Sequence, residues 1–154
     1  MNTCEPFITP DCQACSLQNV VGISEQIFNC LKKAGMILNN DEPVLITGES
    51  GTGKELFARA LHYSDCCKRR LEPFITKNCS GIDSNVLSSE LFGHENGGAL
   101  DGKNGYQPGL FEAAQGGTLF LDEIGDISMD TQKALLRTIE EKRLYRIGVN
   151  ENEI

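Results

Sequence analysis

Gly48-Glu49-Ser50-Gly51-Thr52-Gly53-Lys54 has the G-x-x-x-x-G-K spacing of a loop that holds phosphates. Glycines at these intervals let successive backbone N–H groups face one concavity. A helix starting at the lysine turns its positive end to the same place. Lys54 adds a mobile cation for the outer phosphates of a nucleoside triphosphate. Glu55 departs from the generic pattern, which has Ser or Thr there to hold magnesium, so the metal must lean on nucleotide, water and an acid elsewhere. Asp122 and Glu123 are the candidates for that acid, because they end the apolar run Thr118-Leu119-Phe120-Leu121. Parallel sheets put their chemistry at strand C-termini, where Asp122 suits a magnesium shell and Glu123 suits orienting or deprotonating a water.

The elements that must position these residues are also patterned. Val44-Leu45-Ile46-Thr47 predicts a strand running into the loop, and Glu55 to Leu61 a helix leaving it. Upstream, Ser24 predicts a cap for a helix through Ala34 with Ile27, Leu31 and Ala34 on one face. Pro73 to Asn78 reads as a second strand, and Asn85 to Phe92 as a short helix with Val86, Leu87 and Leu91 inward. Gly116 to Leu121 reads as a buried strand. Ser128 then predicts the cap of a helix reaching about Lys142, with Asp130 in its first turn and Leu135, Leu136 and Ile139 inward. Between these, residues 93–109 are rich in glycine and poor in core material, which predicts a long mobile loop or hairpin, of a length that is usually functional or disordered. Residues 1–18, with Pro6 and Pro10 and no periodicity, read as an irregular leader before a domain over 19–154. Strands alternating with helices imply an α/β fold on a parallel, doubly wound sheet.

A length of 154 residues suits one domain with a real core, and its 40% apolar and 23% charged content is that of a soluble protein. No apolar run reaches membrane-spanning length and no signal peptide is visible at Met1, so the expected location is cytoplasmic, with no membrane partner. A net charge of −8 argues against direct DNA binding by this segment, and Lys68-Arg69-Arg70 reads as a solvated loop. The seven cysteines include a C-x-x-C at Cys12 and Cys15 without a second such pair. Reduced thiols acting as small hydrophobes are therefore expected, Cys30 and Cys79 among them, rather than a metal site.

Taken with Val21-Gly22-Ile23-Ser24, Ser89-Glu90-Leu91-Phe92-Gly93-His94-Glu95 and Gly109-Leu110-Phe111-Glu112, these motifs closely resemble the central AAA+ ATPase domain of bacterial enhancer-binding proteins. Those proteins activate RNA polymerase carrying sigma-54. The similarity runs from Val20 to Gly148, and Glu55 is the residue this family has after the lysine. It implies an AAA+ P-loop sheet with flanking helices and a site for ATP with Mg2+. Gly48, Glu49, Ser50, Gly51, Thr52, Gly53, Lys54 and Glu55 would hold the phosphates, Val21 and Gly22 would lie near the adenine, and Asp122 would hold the magnesium. By the same resemblance Glu123 acts on the attacking water, and Asn78 holds Glu123 in an inactive pose until nucleotide state and target agree. It further implies a homo-oligomeric ring, a hexamer in the family, acting on the sigma-54 RNA polymerase holoenzyme.

Two departures qualify the resemblance. Where the family has Gly-Ala-Phe-Thr-Gly-Ala in its sigma-54 loop, this chain has Gly98-Ala99-Leu100-Asp101-Gly102-Lys103. Leucine for the aromatic and an added carboxylate weaken the expected contact. The family also continues past Gly148 into a strand with a polar sensor, arginines that reach a neighbour's nucleotide, and a helical lid; the sequence ends at Ile154. The sheet is therefore expected to be incomplete beside the phosphate-loop strand, and the chain alone to hydrolyse little or no ATP. The alternative expectation is a non-enzymatic module that binds nucleotide or joins rings of intact relatives as an inhibitor, or a fragment with no function.

Overall fold

In the computed structural model, which describes residues 24–38, 40–64, 67–94 and 107–147, helix α1 (Glu25–Ile37) begins at the expected cap. The Ser24 hydroxyl accepts from the Ile27 N–H at 3.3 Å, and the helix runs three residues beyond Ala34. The chain divides into two compact units, Met1–Phe74 with Gly116–Thr118, and Ile75–Gln115 with Leu119–Ile154. Among the described residues no helix is long and apolar enough to cross a membrane.

In the first unit, α1 buries Ala34, and helix α2 (Lys54–His62) buries Ala58, Ala60 and His62. Arg69 holds the end of α1: its guanidinium donates to the Leu38 and Asn40 carbonyls at 3.2 Å and pairs with Asp41 at 2.8 Å. Buried Cys67 donates to the same Leu38 carbonyl. The expected strand at Val44–Thr47 does not form. The segment has no ladder partner among the described residues, and Val44 and Leu45 are 50% and 77% exposed. An apolar run becomes a strand only when a neighbour takes up its N–H and C=O groups.

Strands β1 (Phe74–Asn78) and β2 (Thr118–Asp122) pair with each other. The Thr118 N–H donates to the Pro73 carbonyl at 2.8 Å near their starts, and the Cys79 N–H to the Asp122 carbonyl at 3.0 Å near their ends. Starts meet starts and ends meet ends, so the pair is parallel.

In the second unit, Asp83 caps helix α3 (Ser84–Phe92) and Ser128 caps helix α5 (Met129–Glu141), as the latter's sequence predicts. Its core joins Cys79, Leu87, Leu91, Phe92, Ile127 and Leu135. Phe92 stacks on Phe111 of the short helix α4 (Leu110–Ala113). Two residues expected inward point out: Val86 is 51% exposed and Leu136 55%. Each lies one residue, about 100° of helix, off a stripe already filled by Leu87 and Leu91, or by Thr131, Leu135 and Thr138. Beside that core, α3 and the start of α5 also share a cluster of bonded hydroxyls, Ser84, Ser88, Ser128 and Thr131. Cys79 is core, as expected, whereas Cys30 is exposed on α1 and packs nothing away.

The chain enters and leaves residues 95–106 through a tight neck. His94 and Gln107 exchange both backbone bonds, at 3.0 and 3.2 Å, and the Ile147 N–H donates to the Gly93 carbonyl at 3.1 Å. Gly93 has φ +76°, and a Cβ there would sit 2.6 Å from the Gln107 carbonyl oxygen. The leader, Val21, Gly22 and the loop Gly98, Ala99, Leu100, Asp101, Gly102 and Lys103 lie outside the described residues.

Candidate functional site

The phosphate-type loop is built by two left-handed glycines, Gly51 (φ +80°) and Gly53 (φ +83°), a conformation costly for any residue with a Cβ. Between them Thr52 closes the turn, its hydroxyl donating to the Glu49 carbonyl at 2.8 Å. Gly53 then starts α2 with no side-chain cap, whereas α1, α3 and α5 each have one. The first N–H groups of α2 are thus left without a side-chain acceptor at the positive end of the helix. Lys54 lies beside them, its Nζ donating to the Gly48 and Glu49 carbonyls at 3.1 and 3.0 Å. Two exposed carbonyls are weak partners for an ammonium. An anion with several oxygens is a stronger one, so the donor set fits a polyphosphate. Glu55 is turned the other way along the helix, paired with Arg59 at 2.7 Å, and Arg59 packs over the Phe74 ring.

The second constellation closes the parallel pair in the other unit. Asp122 ends β2; its Oδ1 accepts from the Glu123 N–H at 3.0 Å. A carboxylate at a strand end is a hard oxygen ligand and suits Mg2+. Glu123 adopts φ 53°, ψ 41°, one of two non-glycine positive φ values among the described residues, and begins a turn of 3-10 helix over Ile124–Asp126. Backbone strain of this kind persists only where its surroundings enforce it. The Glu123 side chain is exposed and makes no hydrogen bond among the described residues.

Asn78 ends the adjacent strand, next to Cys79, whose N–H binds the Asp122 carbonyl. The Asn78–Glu123 hydrogen bond that the sequence suggested is not made here. Asn78 Oδ1 instead accepts from the Ser80 N–H and hydroxyl, both at 2.8 Å. Sequence reading missed Ser80, although Asn-x-Ser spacing is the signature of a side chain folding onto its own backbone two residues on. Beside these ends, burial pushes the Cys79 thiol up, with the Lys77 cation opposing and the Asp122 carboxylate adding to it.

His62, at the last turn of α2, ties that helix to the start of β2. Its Nδ1 meets the Thr118 hydroxyl at 2.9 Å, and its Nε2 meets the Glu72 carbonyl at 3.0 Å. Burial holds its pKa below 6.5, with the Glu72 carbonyl opposing and Arg69 adding to the depression. A depressed histidine contributes stability that is complete above about pH 6.5 and lost as pH falls through the folded-state value. Urea midpoints are expected to fall between about pH 7 and pH 5, and His62→Gln to flatten that fall.

Residues 20–154 match the family model described as the sigma-54 interaction domain. The nitric oxide reductase transcription regulator NorR2 of Cupriavidus necator is 45% identical over 129 residues, covering 84% of this chain and 24% of that protein. The transcriptional regulatory protein ZraR of Salmonella typhi is 48% identical over 132 residues (86% and 29%). The Nif-specific regulatory protein of Rhizobium leguminosarum bv. trifolii is 46% identical over 129 residues (84% and 36%). The crystal structure of NtrX from Brucella abortus in complex with ATP aligns with TM-score 0.70 and 32% identity, over 86% of this chain and 27% of that one. The chain therefore spans between about a quarter and just over a third of the length of these relatives.

Proposed function

From the premise that this chain belongs to the sigma-54 interaction domain family of transcriptional regulators, with its AAA+ α/β fold, we propose that it binds ATP with Mg2+ and serves ATP-driven remodelling of sigma-54 RNA polymerase holoenzyme. The observation that carries this reading is the start of α2: an uncapped helix end, two left-handed glycines and a lysine resting on exposed carbonyls. In this reading Gly48 to Lys54 grip the phosphates, and Val21 and Gly22 lie near the adenine. Asp122 holds the magnesium, Glu123 orients or deprotonates the attacking water, and Asn78 releases Ser80 to restrain Glu123. Magnesium supplies charge neutralisation across the phosphates, and the protein's part is to position and to exclude. Assembly is a homo-oligomeric ring, with no direct contact of this segment to DNA.

Mg2+ titration tests the assignment of Asp122. Wild-type chain is expected to gain affinity for a non-hydrolysable ATP analogue as Mg2+ is added, whereas Asp122→Asn keeps basal binding and loses about tenfold of that gain. Equal gains in both would remove Asp122 from the metal.

The segment Gly98 to Lys103 is the surface for sigma-54, weakened by Leu100 and Asp101. Leu100→Phe with Asp101→Thr is expected to raise affinity for sigma-54 by about tenfold, read by fluorescence anisotropy. No gain by the folded double variant would contradict this account of the loop.

A further inference from the structure

Glu55 is the second residue of α2, and helix geometry gives its side chain a default direction. Cα–Cβ bonds tilt toward a helix N-terminus, so a residue at this position leans over the preceding turn, which is the glycine loop. A helix start also attracts a carboxylate, through its positive end and its N–H groups. An unrestrained Glu55 would therefore set a negative charge where the proposed polyphosphate lies. That charge would compete for the same donors and repel the ligand.

The structure takes it elsewhere. Arg59, one turn on, donates to Glu55 Oε1 through both Nε and Nη2, at 3.0 and 2.7 Å. A surface pair at this spacing on a helix is by itself weak and loosely held. This arginine has a second hold. Its guanidinium carbon lies 4.9 Å from the centre of the Phe74 ring, which also meets the rings of His62 and Tyr63 at 5.2 and 6.0 Å. A planar cation seated on an aromatic face loses little further freedom when it takes up a carboxylate. All these residues lie in one unit of the chain.

We propose that Arg59 is a positioning residue for nucleotide binding. Seated on Phe74, it draws the Glu55 carboxylate away from the glycine loop and neutralises it. Lys54 and the start of α2 then face the phosphates without a competing anion. The proposal rests on the nucleotide reading above and adds to it a residue that touches no phosphate. Glu55 becomes a charge kept in check rather than a ligand of the phosphates or the metal.

The test is a double-mutant cycle on the full chain, read by titration calorimetry as affinity for a non-hydrolysable ATP analogue with Mg2+. Arg59→Gln is expected to weaken binding about fivefold, and to weaken it less for ADP, which carries less negative charge. Glu55→Gln is expected to return most of that loss when added to Arg59→Gln, and to strengthen binding by less than about twofold on the wild-type background. At ~1 M salt, where screening acts within about 3 Å, the Arg59→Gln loss is expected to shrink below about twofold. Arg59→Met, which keeps an apolar stem over Phe74, repeats the cycle if the glutamine variant does not fold. An Arg59→Gln chain that binds as wild type does overturns the proposal. So does a double variant as weak as Arg59→Gln, which would make the arginine itself the attraction. A Glu55→Gln chain that binds more weakly than wild type also overturns it, by making Glu55 a ligand. Failure of both Arg59 variants to fold does the same, by making Arg59 a support of the fold. Wild type that binds no analogue brings down the nucleotide reading, and this proposal with it; the wild-type affinity separates that case from the rest.

Discussion

Gly117→Ala is expected to lower stability by about 3 kcal/mol, at the upper end of what overpacking costs. A Cβ at Gly117 would overlap the Pro73 carbonyl oxygen and sit 2.9 Å from Pro73 C and N, all backbone atoms that cannot swing aside as a side chain would. The same point carries the Thr118 N–H bond to Pro73, which opens the β1–β2 pair, and both histidine contacts of His62, to Thr118 and Glu72. Moving Pro73 therefore loosens the strand pair and the end of α2 together. Gly35→Ala is the control: a Cβ there meets nothing within 4 Å inside α1, so helix propensity alone predicts a gain of up to about 1 kcal/mol. Urea midpoints of the three proteins check both statements, and a Gly117→Ala chain as stable as wild type would contradict the close approach.

Lys54→Ala is expected to weaken ATP binding by about 100-fold while barely changing stability without nucleotide. The split follows from what Lys54 touches. Its partners are the Gly48 and Glu49 carbonyls, both on exposed residues that water can serve equally well. With a triphosphate bound, the same ammonium would face several negative oxygens at a helix start that no side chain caps. Titrations and thermal melts on one preparation read the two halves separately. Unchanged affinity would remove Lys54 from the phosphates, and a large loss of melting temperature would make it a structural residue.

How much of this was readable beforehand depended on the range of each interaction. The glycine loop was legible because Gly51 and Gly53 owe their left-handed backbone to local sterics, and Ser24 and Ser128 announced their helices through bonds three residues away. Asp122 and Glu123 at a strand end were legible from the apolar run before them. The Val44–Thr47 strand was misjudged because apolar pattern is a local property and a ladder partner is not. Val86 and Leu136 were misplaced because adjacent hydrophobes leave the helix phase open by one residue, and tertiary packing chooses Leu87 and Leu135. The hold of Ser80 on Asn78 Oδ1 was missed, although that hydroxyl lies only two residues on. Nor does the letter at Gly117 tell that Pro73 lies against it; that approach exists only once two strands 40 or more residues apart have paired.

Titration calorimetry of the purified wild-type chain with a non-hydrolysable ATP analogue and Mg2+ tests the central claim most directly. A saturable heat with one site per chain, absent from Lys54→Ala, is the predicted result. A chain that melts cooperatively, and so is native, yet gives no heat with ATP, ADP or the analogue would contradict it.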